Sequence, residues 1–347
     1  MTTKAQSAAV LLSLGLGVLL GTACGFGGGG SESPSGPITV PPRTSNPAGM
    51  AAVFATANRS DGVCAAARPF YWEIGDRSGL ITGGSVDGPS GATASRTVVL
   101  PVGSAGEWLY SAFVASRRGY VLTPQDVEFL TMRSGFVSAS DACRASTTIG
   151  SCAAAGGNAV RDAAAVGRFG YGGSHLQQHA SQPAPGMDFA AKDNVALEIA
   201  MRSALGVGTA LSVAGQRIPE DIAISPTGYA SFLRKVLAGE LRFGALLGTN
   251  LTCTDPATCA SAVPTATPLP VTPGSRWSYS VGHWVENDPV TGDGAYSNPG
   301  ARGFYPWITA RADMYGMVVR ADSAGGTAAS VRCGRVLRAA WVTGVVQ

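Results

Sequence analysis

The chain has 347 residues, of which 45% are hydrophobic and 14% charged, with a formal net charge of +3. That is long enough for one large domain or two ordinary ones around a sizeable core. The charges form no basic run or cluster, so nothing suggests an electrostatic footprint for nucleic acid, and that class of partner is set aside.

Residues 1–23 read as a targeting segment and not as fold. Lys4 supplies a weakly positive start, Ala8 to Leu20 is an uncharged apolar run, and small residues follow at Gly21-Thr-Ala-Cys24. The run is short for a membrane span. Its end resembles a bacterial lipoprotein signal, with Leu20 one place further from the cysteine than the usual pattern has it. The resemblance implies an exported, periplasmic protein lipidated at Cys24 and held to a membrane by acyl chains, and Gly25 resembles the residue of lipoproteins sorted to the outer membrane. Cleavage by an ordinary signal peptidase is the alternative. Residues 24–47 are rich in Gly, Ser and Pro and read as a flexible tether. This leaves 48–347 as one folded domain.

In chain order, Pro47 to Asn58 predicts a short helix. Pro69 to Gly75 and Leu80 to Val86, joined by a turn at Asp76-Arg-Ser-Gly79, predict a hairpin. Thr97 to Val102 is strand-like and runs into VGSAGEWLYSAFVASRRG, residues 102–119. There Trp108, Leu109, Ala112, Phe113 and Ala115 recur at helical spacing after Ser104, and Gly119 ends an amphipathic helix. Thr123-Pro124 opens another helix carrying Val127, Phe129, Leu130 and Met132. The middle, to about residue 275, reads as helix and loop. Asp188 is placed to cap a helix through Leu205, and Ser225-Pro226 starts one striped by Tyr229, Phe232, Leu233, Val236 and Leu237. Strand character returns at Arg276 to Val281, then in a second hairpin over Gly303 to Thr309 and Met314 to Arg320. Thr327 to Val342 closes the chain as a helix. With no internal repeat and no second linker, the order predicts an α+β fold: an antiparallel sheet built from both chain ends, flanked by helices, around a mostly helical inserted region.

Export would permit disulfides, and six cysteines remain beyond Cys24. Cys143 with Cys152 and Cys253 with Cys259 are near neighbours in loop-like stretches, so local closure is the simplest pairing. That leaves Cys64 with Cys333, which a sheet made from both ends would bring within reach. The spacing suits neither a zinc knuckle nor a redox C-x-x-C.

Ser104 has two readings. In one, Ser104-Ala-Gly-Glu107 is a capping box that satisfies the first turn of the helix. In the other, Ser104 is a nucleophile on that turn, for which the usual companion is a lysine in S-x-x-K. Here the fourth residue is Glu107.

The order of segments resembles the β-lactamase and penicillin-binding-protein superfamily of serine hydrolases, in particular its class C and esterase-like branch. YWEIGDRSGLITGGSV looks like its first hairpin, SAGEWLYSAFVASRRG stands in the place of its nucleophile helix, and VEFLTMRSGF looks like its LLTHTSGL segment. Phe169-Gly-Tyr171-Gly-Gly-Ser-His175 falls where the family carries Y-x-N, and Gly300-Ala-Arg-Gly-Phe-Tyr-Pro-Trp is placed like its K-T-G motif. The resemblance implies a β-lactamase/transpeptidase-like fold and acyl transfer on a small ester, an amide or a peptidoglycan-like substrate, with no cofactor. It carries the nucleophile to Ser104 and the tyrosine role to Tyr171, and suggests an oxyanion donor from Gly300 and Ala301 and a substrate-carboxylate partner in Arg302, with His175 beside them.

The departures fall on the chemistry. No S-x-x-K or K-T-G occurs, and Gly173 replaces the asparagine of Y-x-N. A literal Y-x-N at Tyr296-Ser-Asn298 lies far downstream and reads as coincidence. A glutamate of ordinary pKa, near 4.3, is a poor base at neutral pH, which predicts slow turnover of β-lactams and simple esters. His175 and His179 share a helical spacing, but a metal site needs a further ligand that nothing nearby supplies, and they read as polar helix residues. The leading expectation is an exported serine hydrolase impaired by loss of the lysine. The alternative is a catalytically inactive envelope lipoprotein that uses the same cleft to bind.

Overall fold

The computed structural model describes residues 46–88, 95–263, 276–320 and 326–347, all in one compact unit. The expectations for the targeting segment, for Cys24 and for most of the tether lie outside the described residues. Among these, structure starts at Asn46, whose side chain accepts from Gly49 N at 2.9 Å and donates to Trp341 O at 2.8 Å. It caps helix α1 (Pro47–Asn58) and ties it to the far end of the chain.

A short helical turn at Cys64 leads to the hairpin of β1 (Phe70–Asp76) and β2 (Gly79–Val86). Strand β3 (Leu100–Pro101) then enters α2 (Ala105–Arg117). The inserted region holds α3 (Pro124–Leu130), α4 (Ile149–Ala153), α5 (His175–Ser181) and α6 (Asn194–Leu205). It ends with β4 (Leu211–Val213), β5 (Ile222–Ile224) and α7 (Pro226–Ala238). The chain closes through β6 (Ser278–Tyr279), β7 (Trp284–Val285), β8 (Tyr296–Ser297), β9 (Tyr305–Ile308), β10 (Met314–Val319) and α8 (Gly326–Thr343).

Seven strands form one antiparallel sheet in the order β2-β1-β10-β9-β8-β7-β6. Both chain ends build it: β1 pairs with β10 from Tyr71↔Val319 to Asp76↔Met314. Side chains alternate across the pleat, and both faces are covered. Tyr315 on one face takes a hydrogen bond from Arg234 of α7 at 3.2 Å. On the other, the Arg338 guanidinium of α8 lies 5.7 Å from the Trp307 ring centre and donates to Tyr305 Oη at 3.0 Å. This double cover explains why Phe70 to Gly75 are all buried, without the alternation of a half-exposed strand. Disulfides join Cys64 to Cys333, Cys143 to Cys152 and Cys253 to Cys259. No helix among the described residues is long and apolar enough to cross a membrane.

Four local expectations change. Only Leu100–Pro101 of the segment from Thr97 forms a strand, and it joins a separate three-stranded sheet, β3-β5-β4. The strand expected over Arg276 to Val281 is the two-residue β6, and two more short strands, β7 and β8, extend the sheet. Helix α6 is capped by Asp193, which accepts from Ala196 N at 2.9 Å; Asp188 lies too far upstream, in irregular backbone at φ 60°. Finally, α2 is not amphipathic, because every residue from Ala105 to Ala115 is buried. It is the central helix, covered all round, and it takes Glu107 and Ser111 inside with it.

Candidate active site at the head of the central helix

The approach to α2 is held on two sides. Val102 N donates to Ile222 O at 3.1 Å, fixing the entry against β5. Gly103 has φ +54°, and a Cβ there would lie 3.2 Å from Ala301 N. One turn on, a Cβ on Gly106 would come within 3.0 Å of Pro219 O. Small residues thus let the Gly300–Ala301 loop and the Pro219–Glu220 turn close on either side of Ser104.

Ser104 occupies the cap position but makes no side-chain cap hydrogen bond. Its partner in the expected capping box also points elsewhere. Glu107 is 2% exposed, and its Oε2 accepts from Tyr279 Oη at 2.7 Å, Tyr171 Oη at 3.3 Å and Asn298 Nδ2 at 3.4 Å. Asn298 Nδ2 also donates to Ser104 O at 2.7 Å and Gly282 O at 2.9 Å, so it holds the serine turn and the carboxyl together.

Burial pushes the Glu107 pKa up to about 8; the Tyr279 hydrogen bond acts downward against it, the charge of Glu220 adds to the rise, and the bonds from Tyr171 and Asn298 oppose it. Burial, and then the Glu107 charge, also raise Tyr171 well above the ordinary phenol value, while hydrogen bonds from Ser104 and Trp284 act downward. The Ser104 bond acts in the sense of a serine hydroxyl donating to the phenol oxygen. Tyr171 therefore stands between the Ser104 hydroxyl, which acts on its pKa, and Glu107, to which its hydroxyl donates at 3.3 Å. In front of them lies a cavity of about 450 Å³, lined in part by Ser104, Glu107, Asp141, Gln177, Arg217 and Glu220.

No protein-family model and no curated protein sequence matches the chain. Solved structures do match it. The octameric penicillin-binding-protein homologue from Pyrococcus abyssi aligns over 82% of this chain and 75% of its own, with a TM-score of 0.55 and 11% identity. A β-lactamase from Mycobacterium bovis aligns over 80% and 96%, with a TM-score of 0.51 and 13% identity. A D-stereospecific amidohydrolase from Streptomyces sp. aligns over 86% and 99%, with a TM-score of 0.51 and 13% identity. The chain has the β-lactamase/transpeptidase-like fold.

Within this β-lactamase-like fold, the residues singled out in the sequence separate. Ser104, Glu107 and Tyr171 meet. Gly300 packs against the serine turn, where a Cβ would fall 1.9 Å from Val102 O, but its N–H is committed to Phe304 O at 2.8 Å and is no oxyanion donor. The N–H groups of Ser104 and Ala301 have no acceptor among the described residues. Arg302 is exposed and outside the cavity lining; its charge acts on Glu220.

His175 is likewise no substrate contact. It is 0% exposed, with Nδ1 2.6 Å from Ser134 Oγ and Nε2 2.9 Å from Gly170 O, and burial lowers its pKa to about 4. His179 is buried as well, between Tyr110 Oη at 2.9 Å and Asp126 Oδ1 at 2.8 Å, so neither histidine belongs to a polar helix face. Sequence reasoning missed Tyr279, Asn298 and Glu220. The literal Tyr296-Ser297-Asn298 triplet was the signal for Asn298. Tyr279, in an aromatic strand, looks like core, and Glu220 carries no motif at all.

Proposed function

We propose that the chain is a serine hydrolase acting by acyl transfer on an ester or amide, with Ser104 as nucleophile and Glu107, in place of the family's lysine, as final acceptor of the serine proton. The observation that carries this reading is that Ser104 and Glu107 line one cavity while the Tyr171 hydroxyl donates to Glu107 at 3.3 Å beside them. The sequence expectation of a weak base near 4.3 does not hold for a buried carboxyl at about 8. An acceptor poised near the operating pH suits general base catalysis.

Tyr171 is not the base, because its pKa is far too high for a free phenolate. With Glu107 ionised, the serine proton passes to the Tyr171 oxygen as the phenol proton passes to Glu107. Ser104 Oγ bonds to the substrate carbonyl carbon, and the oxygen's charge falls to the unpaired N–H groups of Ser104 and Ala301. Collapse expels the alkoxide or amine, which recovers the proton along the same path. Water then repeats the sequence on the acyl-serine, releasing the acid and free enzyme. Export and a lipid anchor at Cys24 remain part of this proposal, and the three disulfides support an oxidising compartment.

The competing reading is a binding module. At pH 7 a group with pKa about 8 is mostly protonated, so the relay is largely idle there. A fluorophosphonate probe applied at pH 9 separates the two. Labelling at Ser104, lost in Ser104→Ala, supports the hydrolase. An unlabelled protein that binds ligands saturably supports the module.

A further inference from the structure

We infer that the cavity in front of Ser104 takes esters or amides bearing a cationic ammonium group, with Glu220 as the residue that selects them. This rests on the reading of Ser104 as nucleophile and names the substrate class of that site.

The argument is an account of which polar groups around the cavity are still free. Gln177 is committed at both ends, donating to Ile149 O at 2.9 Å and accepting from Ile218 N at 2.8 Å. Asn158 is committed in the same way, to Cys152 O at 2.9 Å and from Ser140 N at 2.7 Å. Arg217, the one cation in the lining, is tied to Asp221 by Nη2 at 2.6 Å and Nε at 3.3 Å, and to Asp141 by Nη1 at 3.3 Å. Asp141 is shared further with Arg144 at 3.1 Å. Glu220 makes no hydrogen bond and no ion pair among the described residues, though the charges of Arg217 and Arg302 act on it.

Its position is set by the backbone. The Pro219 carbonyl seats on Gly106, in the first turn of α2, and this carries Glu220 to the wall of the cavity that Ser104 also lines. The Glu220 charge adds to the rise of the Glu107 pKa, and both side chains line the same cavity. A substrate carboxylate would meet that negative charge and no free cation, since Arg302 lies outside the lining. Glu220 is exposed, and an ammonium group entering the cavity would meet its carboxylate without having to break a hydrogen bond.

Three p-nitrophenyl esters test this at pH 9 and low ionic strength: of trimethylammonio-butyrate, of its carbon isostere with tert-butyl in place of trimethylammonium, and of glutarate. The expected order of kcat/KM is cation, neutral, anion, with the cation ahead of its isostere by about tenfold. Glu220→Gln should bring that ratio close to one. A cation that fares no better than its isostere, or a ratio that Glu220→Gln leaves unchanged, overturns the inference. Hydrolysis of none of the three overturns the hydrolase reading instead. The charge inference is then read from calorimetric binding of the corresponding primary amides: the cationic amide bound more tightly supports it, and equal binding refutes it.

Discussion

Tyr279 Oη lies 2.7 Å from Glu107 Oε2, although 172 residues separate the two in sequence. Strand β6 delivers the phenol and the first turn of α2 delivers the carboxyl, so the shortest hydrogen bond to Glu107 depends on distant parts of the chain closing on each other. The bond favours the ionised carboxylate and holds down a pKa that burial alone would lift further. In Tyr279→Phe the Glu107 pKa should rise by about one to two units, the worth of one hydrogen bond to a charged group. The ascending limb of the kcat/KM–pH profile should move to higher pH by the same amount. A limb that stays in place excludes Glu107 as the titrating base.

For the wild type, ester hydrolysis should rise with pH through about 8 and level off above it, because the active form is the carboxylate. At pH 7 the rate should be about a tenth of the plateau. Glu107→Gln should lower the plateau by about 10²–10⁴-fold. A flat profile between pH 6 and 9 in wild type argues against the relay.

Stability carries the opposite dependence. Glu107 binds its proton more tightly folded, at about 8, than unfolded, near the ordinary 4.5. Its contribution is therefore complete below about pH 4.5 and is lost as pH rises to about 8, where the folded chain must ionise a buried carboxyl. Glu107→Gln should flatten the decline of the thermal midpoint over that window and leave the variant the more stable protein at pH 8. The rate and stability effects should have opposite signs in one variant, which a simple folding defect cannot produce.

What the sequence made legible was whatever recurs locally. The two hairpins follow from aromatic and β-branched runs joined by short turns, and the pairing of β1 with β10 follows from their places at opposite chain ends. Ser104, Glu107 and Tyr171 came from motif positions, and they do meet. Hydrogen-bond commitments were not legible. Nothing in the sequence shows that His175 is satisfied by Ser134 and Gly170, or that Gly300 N–H is taken by Phe304, because each depends on partners brought in from elsewhere in the fold. The pKa of Glu107 was illegible for the same reason: it follows from the cover on all sides of α2, whereas the spacing of apolar residues suggested a helix with one wet face.

The Cys64–Cys333 bond joins the turn after α1 to α8, which covers the sheet where the chain ends meet. Removing it as Cys64→Ala/Cys333→Ala should cost about 2–5 kcal/mol and lower the thermal midpoint accordingly. Non-reducing peptide mapping should recover Cys64 with Cys333. Recovery of Cys64 with a cysteine of the inserted region contradicts the closure of the sheet.

Glu107→Lys restores the S-x-x-K spacing and separates the contributions of the carboxyl from those of the surrounding site. The capping-box reading of Ser104 predicts the loss of a helix cap in this variant, but Ser104 makes no cap bond, so none should be lost. The cost should come instead from burying an ammonium where a largely neutral acid stood. That is several kcal/mol unless the group deprotonates or finds acceptors. Acceptors are at hand: the Tyr171 and Tyr279 hydroxyls, which now donate to Glu107, can turn to accept. A lysine that stays charged also reverses the effect on Tyr171, lowering its pKa where Glu107 raises it. Turnover of p-nitrophenyl acetate at pH 7 should therefore rise by about tenfold or more over wild type, with a lower thermal midpoint. The gain should vanish in Glu107→Lys/Ser104→Ala. A folded Glu107→Lys protein with no gain at pH 7 would mean that Ser104, Tyr171 and the Gly300–Ala301 loop do not form an acyl-transfer site, and the cavity would then stand as a binding cleft.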